Sequence, residues 1–160
     1  MTWNHRKSWF AGIGLLVALA GVGTWYRSQG EQPGAVPPRV GAKATVYKSP
    51  YCGCCAGYVD FLKEQGFQVE VESVMDMDPI KRSLGVAKEM DSCHTTKIGG
   101  YVVEGHVPLN VLQRLLTEKP NIPGIALPGM PTGVPGMPGA QEKWTIYTLE
   151  NPPKVYAVQE

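Results

Sequence analysis

A β-α-β-α-β-α order of elements, with a cysteine cluster at the first strand-to-helix junction, predicts an α/β domain of thioredoxin-like layout. Two observations carry that expectation. The β-prone run Ala44–Tyr47 leads through a turn into Cys52-Gly53-Cys54-Cys55, and the residues after it have helical apolar spacing. Helix starts offer unpaired N–H groups and a partial positive charge, which favour thiolate over thiol. A Pro/Gly/Met-rich C-terminal extension with late β-strands, residues 120–160, completes the expected domain at 43–160.

Taken in order, Ala44–Tyr47 is the first strand. Cys55, Tyr58, Val59 and Leu62 then stand at i, i+3, i+4 and i+7, the inner face of a helix running from Cys55 to Gln65 and closed by Gly66. Phe67, Val69 and Val71 alternate with Gln68, Glu70 and Glu72, which predicts a strand with one buried face. Asp78-Pro79 reads as the cap and first residue of a second helix reaching Leu84, and Val86–Met90 as a further helical turn. Tyr101–Glu104 is the third strand. Leu109, Leu112, Leu115 and Leu116 line a third helix ending near Glu118. Ile122–Ala140 reads as a long loop without regular structure, in which Pro128-Gly129-Met130-Pro131 is echoed by Pro135-Gly136-Met137-Pro138. Trp144–Leu149 and Val155–Val158 are late strands around Asn151-Pro152-Pro153.

Ahead of the domain, residues 1–26 read as a targeting segment. Arg6 and Lys7 form a basic end, and Trp9 to Tyr26 is eighteen residues of apolar or small character. Cleavage near Ala18-Leu19-Ala20 gives a signal peptide; without cleavage the segment is just long enough to be an inner-membrane anchor, with Trp9 and Trp25-Tyr26 at the interfaces. Either reading exports the cysteine motif. Residues 27–42, rich in Gly, Pro, Gln and Ser, read as a flexible linker. The net charge of +1 gives no reason to expect a nucleic-acid partner. Phosphate-loop, metalloprotease-helix and nucleophilic-serine motifs are absent from the sequence, and Glu70, Glu72, Asp76 and Asp78 are assigned no catalytic role.

The chemistry therefore falls to cysteine, histidine and methionine. Three of the four cysteines are clustered, which suits a functional group better than a disulfide scaffold. Cys52 and Cys55 have the C-x-x-C spacing of a redox dithiol and are the candidate catalytic pair. Cys54 adds a third sulfur, which suits a soft metal, Cu(I) before Zn(II). Its alternative is a cysteine packed in the helix. Cys93-His94 lie side by side in what reads as a polar loop before a strand. Cys93 is a further ligand or a structural disulfide partner; His94 is a ligand or a hydrogen-bonded histidine. His106, just after a strand, is a ligand or a solvated loop residue. Met130 and Met137 offer thioethers, which suit Cu(I), or act as apolar anchors for the loop.

Three stretches carry a family resemblance: Val46-Tyr47-Lys48-Ser49-Pro50-Tyr51-Cys52-Gly53-Cys54-Cys55, Ser92-Cys93-His94-Thr95, and Gly100-Tyr101-Val102-Val103-Glu104-Gly105-His106-Val107-Pro108. Together, over residues 44–158, the chain resembles the CopG copper-resistance family, exported bacterial proteins known by a C-x-C-C motif. The resemblance implies a thioredoxin-like domain whose C-terminal extension helps to bind metal. It also implies copper ions bridged by cysteine in a polynuclear centre, with Cys52, Cys54, Cys55 and Cys93 as sulfur ligands, and interconversion of Cu(I) and Cu(II) before efflux. The resulting expectation is a monomeric periplasmic copper-binding redox protein, serving copper efflux machinery. A Cu(I) chaperone or store without turnover, and a thiol-disulfide oxidoreductase, are the alternatives.

Overall fold

A computed structural model describes residues 41–159. The expected targeting segment and nearly all of the expected linker lie outside them. Among the described residues, no helix is long and apolar enough to cross a membrane. The elements are β1 (Lys43–Lys48), α1 (Gly53–Glu64), β2 (Gln68–Ser73), α2 (Met77–Ser83), a 3-10 turn (Lys88–Met90), β3 (His94–Ile98), β4 (Tyr101–Glu104), α3 (Leu109–Glu118), β5 (Gly124–Ala126), β6 (Trp144–Thr148) and β7 (Val155–Gln159).

All seven strands join one mixed sheet in the order β2-β1-β3-β4-β5-β6-β7. β1 pairs in parallel with β2 and antiparallel with β3; β3 and β4 form an antiparallel hairpin, β4 and β5 are parallel, and β5-β6-β7 are antiparallel. Successive strand residues point to opposite faces, and two apolar clusters divide them accordingly. Val103, Ile125 and Ile146 join the main core with α1 and α3. Their neighbours Val102, Ala126 and Tyr147 pack with Val86 and Met90, from the segment after α2. Tyr58, Leu62, Leu112, Leu115, Ile125 and Ile146 are fully buried in the main core, each of the leucines and isoleucines contributing about 1.5–3 kcal/mol of burial.

Several local expectations are corrected. The segment after Cys93 is a strand rather than a polar loop, so His94 is the first residue of β3. β-branched Thr95, Thr96 and Ile98 are followed by Gly99-Gly100, both at positive φ (58° and 90°), which is the two-residue hairpin turn that matches strand twist. The Pro/Gly loop contains a further short strand, β5, buried throughout. β2 does not bury one face: Val69 is only partly covered and Val71 is exposed, because β2 is an edge strand. α2 is capped by Asp76, whose side chain accepts from Asp78 N, so the helix starts two residues before the expected cap-and-proline pair. Pro108 caps α3 and Leu109 is only partly buried; the buried stripe is Val111, Leu112, Leu115 and Leu116.

Candidate metal centre

The cysteine motif is shaped by the start of α1. Cys52 is its N-cap, and its sulfur accepts from Cys55 N at 3.3 Å. Cys52 and Cys55 are joined in a disulfide with a Cα–Cα distance of 5.3 Å, while Cys54 and Cys93 are free thiols. Cys54 Sγ lies 3.4 Å from Cys52 Sγ. Cys55 is buried under the helix and its sulfur sits 3.7 Å from the Cys93 carbonyl oxygen; as a disulfide sulfur it has no proton to donate, so this is a packing contact.

β3 brings Cys93 to this place from about forty residues away in sequence. The four cysteines offer sulfur atoms that all lie within 4.8 Å of one another. Cys93 also belongs to a second group at the same closeness, with His94 and His106. Its sulfur is 2.9 Å from His106 Nε2 and 3.4 Å from His94 Nδ1. His106 Nδ1 donates to the Pro135 carbonyl at 2.6 Å. That bond fixes the tautomer and leaves the Nε2 lone pair facing Cys93, the arrangement by which an outer partner orients a metal-binding imidazole. His94 Nε2 is buried and has no hydrogen-bond partner among the described residues. Such an orphan costs about 1–3 kcal/mol; the ring nitrogen that faces Cys93 is the other one, Nδ1.

Two features that the sequence did not flag hold these side chains. The Tyr58 ring packs against both histidine rings, at centroid distances of 4.6 Å and 5.1 Å, and its hydroxyl donates to the Val107 carbonyl at 2.8 Å. On the opposite face of the sheet, the buried Glu104 carboxylate accepts from Ser92 N at 2.7 Å, from the Thr95 hydroxyl and from Lys81 Nζ, which also reaches Thr95. Ser92 and Thr95 flank Cys93-His94, so one carboxylate grips both ends of that pair. A buried lysine on a seven-residue helix gives no periodic signal, which is why this clasp is silent in the sequence.

The Pro/Gly loop is tied to both sides of the site by its two repeats. Gly129 N donates to Asp91 O, and Ser92 Oγ donates to Gly129 O, one residue from Cys93. In the second repeat, Pro135 holds His106, and Gly136 lies so close to α1 that a Cβ there would meet Tyr58 N at 2.7 Å and Cys54 O at 3.0 Å. The two methionines fare differently. Met137 packs against the main core, and Met130 is 58% exposed.

Burial sets the charge state of the metal-free site. The Cys93 thiol is pushed up to about 12, first by burial and then by Cys54 beside it. Any metal bound there therefore displaces a proton. His94 is held well below its ordinary value by burial, then by His106, Lys81 and Lys48; His106 is lowered by burial against the opposing pull of the Pro135 carbonyl. The unfolded chain takes up these protons near pH 6.5 while the folded chain takes them up only at lower pH, so stability falls as pH drops through that value. The slope is at most about 1.4 kcal/mol per pH unit for each histidine. Denaturant unfolding of the metal-free protein should show a lower midpoint at pH 5.5 than at pH 7, and His94→Phe should flatten that difference. An equal slope in the variant would mean that His94 is protonated in the fold.

The fold and the site together define a mixed α/β domain with a four-cysteine, two-histidine cluster at a strand-to-helix junction. Two solved structures have this architecture. "Copper resistance protein copG- Form 2" is 36% identical, covers 74% of this chain and 98% of its own, and superposes with a TM-score of 0.69. "Copper resistance protein copG- Form 1" is also 36% identical, covering 73% and 96%, with a TM-score of 0.68. The family described as "Protein of unknown function, DUF411" matches residues 90–137, which include Cys93, His94, His106, Met130 and Met137. No curated protein sequence matches the chain. The chain belongs to the CopG copper resistance protein family.

Proposed function

We propose that this chain is an exported copper-binding protein of copper resistance, which holds copper ions on a cysteine-bridged centre and interconverts Cu(I) and Cu(II). The observation that carries the reading is the donor set: four sulfurs in one group and Cys93, His94 and His106 in another, with Cys93 common to both. A sulfur shared by two groups suits a bridging ligand, and so a polynuclear centre. Thiolate is a soft donor that favours Cu(I), while imidazole also accepts Cu(II). Among the described residues neither group includes a carboxylate, which argues against harder cations. The related structures are named as copper resistance proteins. The β2-β1-β3-β4 order, with its parallel first pair, supports a thioredoxin-like layout for that half of the sheet, and in this reading Cys52 and Cys55 serve as a redox dithiol. Export to the periplasm, with residues 1–26 as a signal peptide or residues 9–26 as an inner-membrane anchor, a monomeric state and transfer to efflux machinery complete the reading.

The test is optical. The reduced protein is loaded with Cu(I), then cycled with oxidant and reductant. A redox protein gives a reversible spectral change without copper loss. A Cu(I) carrier binds Cu(I) but releases it, or shows no change, on oxidation. Absence of any binding removes the copper reading altogether.

In the same reading the Pro/Gly loop is a lid, since both repeats are fastened beside the cysteines, and Met130 or Met137 adds a thioether. Replacing both by leucine should then weaken Cu(I) binding by at least about tenfold, roughly 1.4 kcal/mol, with little change in thermal stability. Unchanged affinity with lower thermal stability would make them packing anchors, a role Met137 already fills in part.

A further inference from the structure

The disulfide and the metal-ligand group use the same sulfurs, so the two states exclude each other. Cys52 and Cys55 are joined while Cys54 and Cys93 remain free, and all four belong to one ligand group. The thiolate is the metal ligand; a disulfide sulfur has no such charge to offer. The oxidised chain thus keeps Cys54, Cys93, His94 and His106 and lacks two of its four sulfur donors. Two electrons separate it from the full set. The two members of the pair also differ in access: Cys52 is half-buried, whereas Cys55 is buried beneath α1.

We propose that the Cys52/Cys55 dithiol is the internal electron source that reduces Cu(II) at this site, an inference that rests on the copper reading above. In the step, the two S–H bonds break and one S–S bond forms. Two electrons pass, one each, to two Cu(II) ions, giving two Cu(I), and two protons go to solvent. The Cu(I) stays on Cys54, Cys93, His94 and His106, whose donors the disulfide leaves untouched. The oxidised site then needs a dithiol reductant. Its thiolate attacks the accessible Cys52 sulfur and breaks the S–S bond through a mixed disulfide; it leaves as its own disulfide, and Cys52 and Cys55 regain their protons. A thiol-reducing reaction, from a small dithiol or a reduced dithiol protein, must therefore follow each round. The pairing is selected by place: Cys52 and Cys55 face each other across the first turn of α1, while the Cys93 sulfur is engaged by both histidines.

The experiment uses the full chain, reduced with dithiothreitol, freed of reductant without oxygen, and mixed with excess Cu(II). Cu(I) is counted with a chromogenic chelator, free thiols by alkylation, and the disulfide is mapped by mass spectrometry. The expected result is two Cu(I) formed and two thiols lost per chain, all mapped to Cys52–Cys55. Less than one Cu(I) per chain, or loss mapped to Cys54 and Cys93, overturns the inference. Cys55→Ser is expected to lose most of the Cu(I) yield, and an undiminished yield also overturns it; the mapping on the unaltered chain does not depend on that variant folding. Cu(I) affinity of the reduced chain, measured by chelator competition, separates the two readings. Tight Cu(I) binding without thiol loss overturns the electron-source inference alone. Thiol loss without retained Cu(I) overturns the copper site itself.

Discussion

Replacing Cys93 by serine is expected to weaken Cu(I) binding by the reduced chain by more than about 100-fold, beyond the range set by losing a ligand's outer partner. Cys93 is the residue common to the four-sulfur group and the Cys93-His94-His106 group, so its loss removes a donor from both. Serine keeps the size and can still hydrogen-bond His106 Nε2, but its oxygen is a hard donor that Cu(I) does not favour. The fold should survive, since the Cys93 side chain is only half-buried and closes no disulfide. Cys54→Ser removes a donor from one group and should have a smaller effect. Competition with a Cu(I) chelator reads both. A Cys93 variant that binds like the unaltered chain, or no worse than the Cys54 variant, would mean that Cys93 does not bridge.

Lys81→Met is expected to destabilise the fold by about 3–5 kcal/mol, the usual consequence of leaving one member of a buried ion pair without its partner. The Lys81 and Glu104 side chains are almost wholly inaccessible, and burial raises the Glu104 carboxyl even against the pull of Lys81. Glutamine at 104 is uncharged, can still accept from Ser92 N and can donate to Thr95, so Lys81→Met with Glu104→Gln should recover a large part of the loss. By contrast, the pairs of Lys88 with Asp78 and of Arg114 with Glu118 are exposed and should contribute little, because water and salt screen them. Denaturant unfolding of the metal-free variants decides the matter. A Lys81→Met change below about 1 kcal/mol would show that water reaches Glu104, and that the clasp behind Cys93-His94 is weaker than its geometry indicates.

How much of this was legible in the sequence depended on whether a residue announced itself by spacing. α1 and its inner face followed from Cys55, Tyr58, Val59 and Leu62 at helical intervals, and β4 and α3 from their apolar runs. The C-x-C-C spacing marked the site because three sulfurs at a helix start have few other uses. β3 was missed because Cys93-His94-Thr95-Thr96-Lys97 looks polar, yet the Gly99-Gly100 turn before Tyr101 held the hairpin signal. β5 was hidden among prolines and glycines, since a three-residue strand covered on both faces has no alternation to read. The sequence also left open whether His94 and His106 were solvated; both are buried against Tyr58, a contact made by β3, α1 and the loop after β4. The Lys81–Glu104 clasp is likewise a product of tertiary structure: its members are 23 residues apart and meet only when α2 folds over the sheet.

The central claim is a copper centre in which cysteine sulfur bridges more than one ion. Copper-edge X-ray absorption on the reduced protein loaded with Cu(I), with copper counted per chain, tests it most directly. More than one copper per chain, mixed sulfur and nitrogen scattering, and a short copper–copper vector are the predicted result. A single copper with only nitrogen or oxygen neighbours, unaltered by Cys93→Ser, would contradict it.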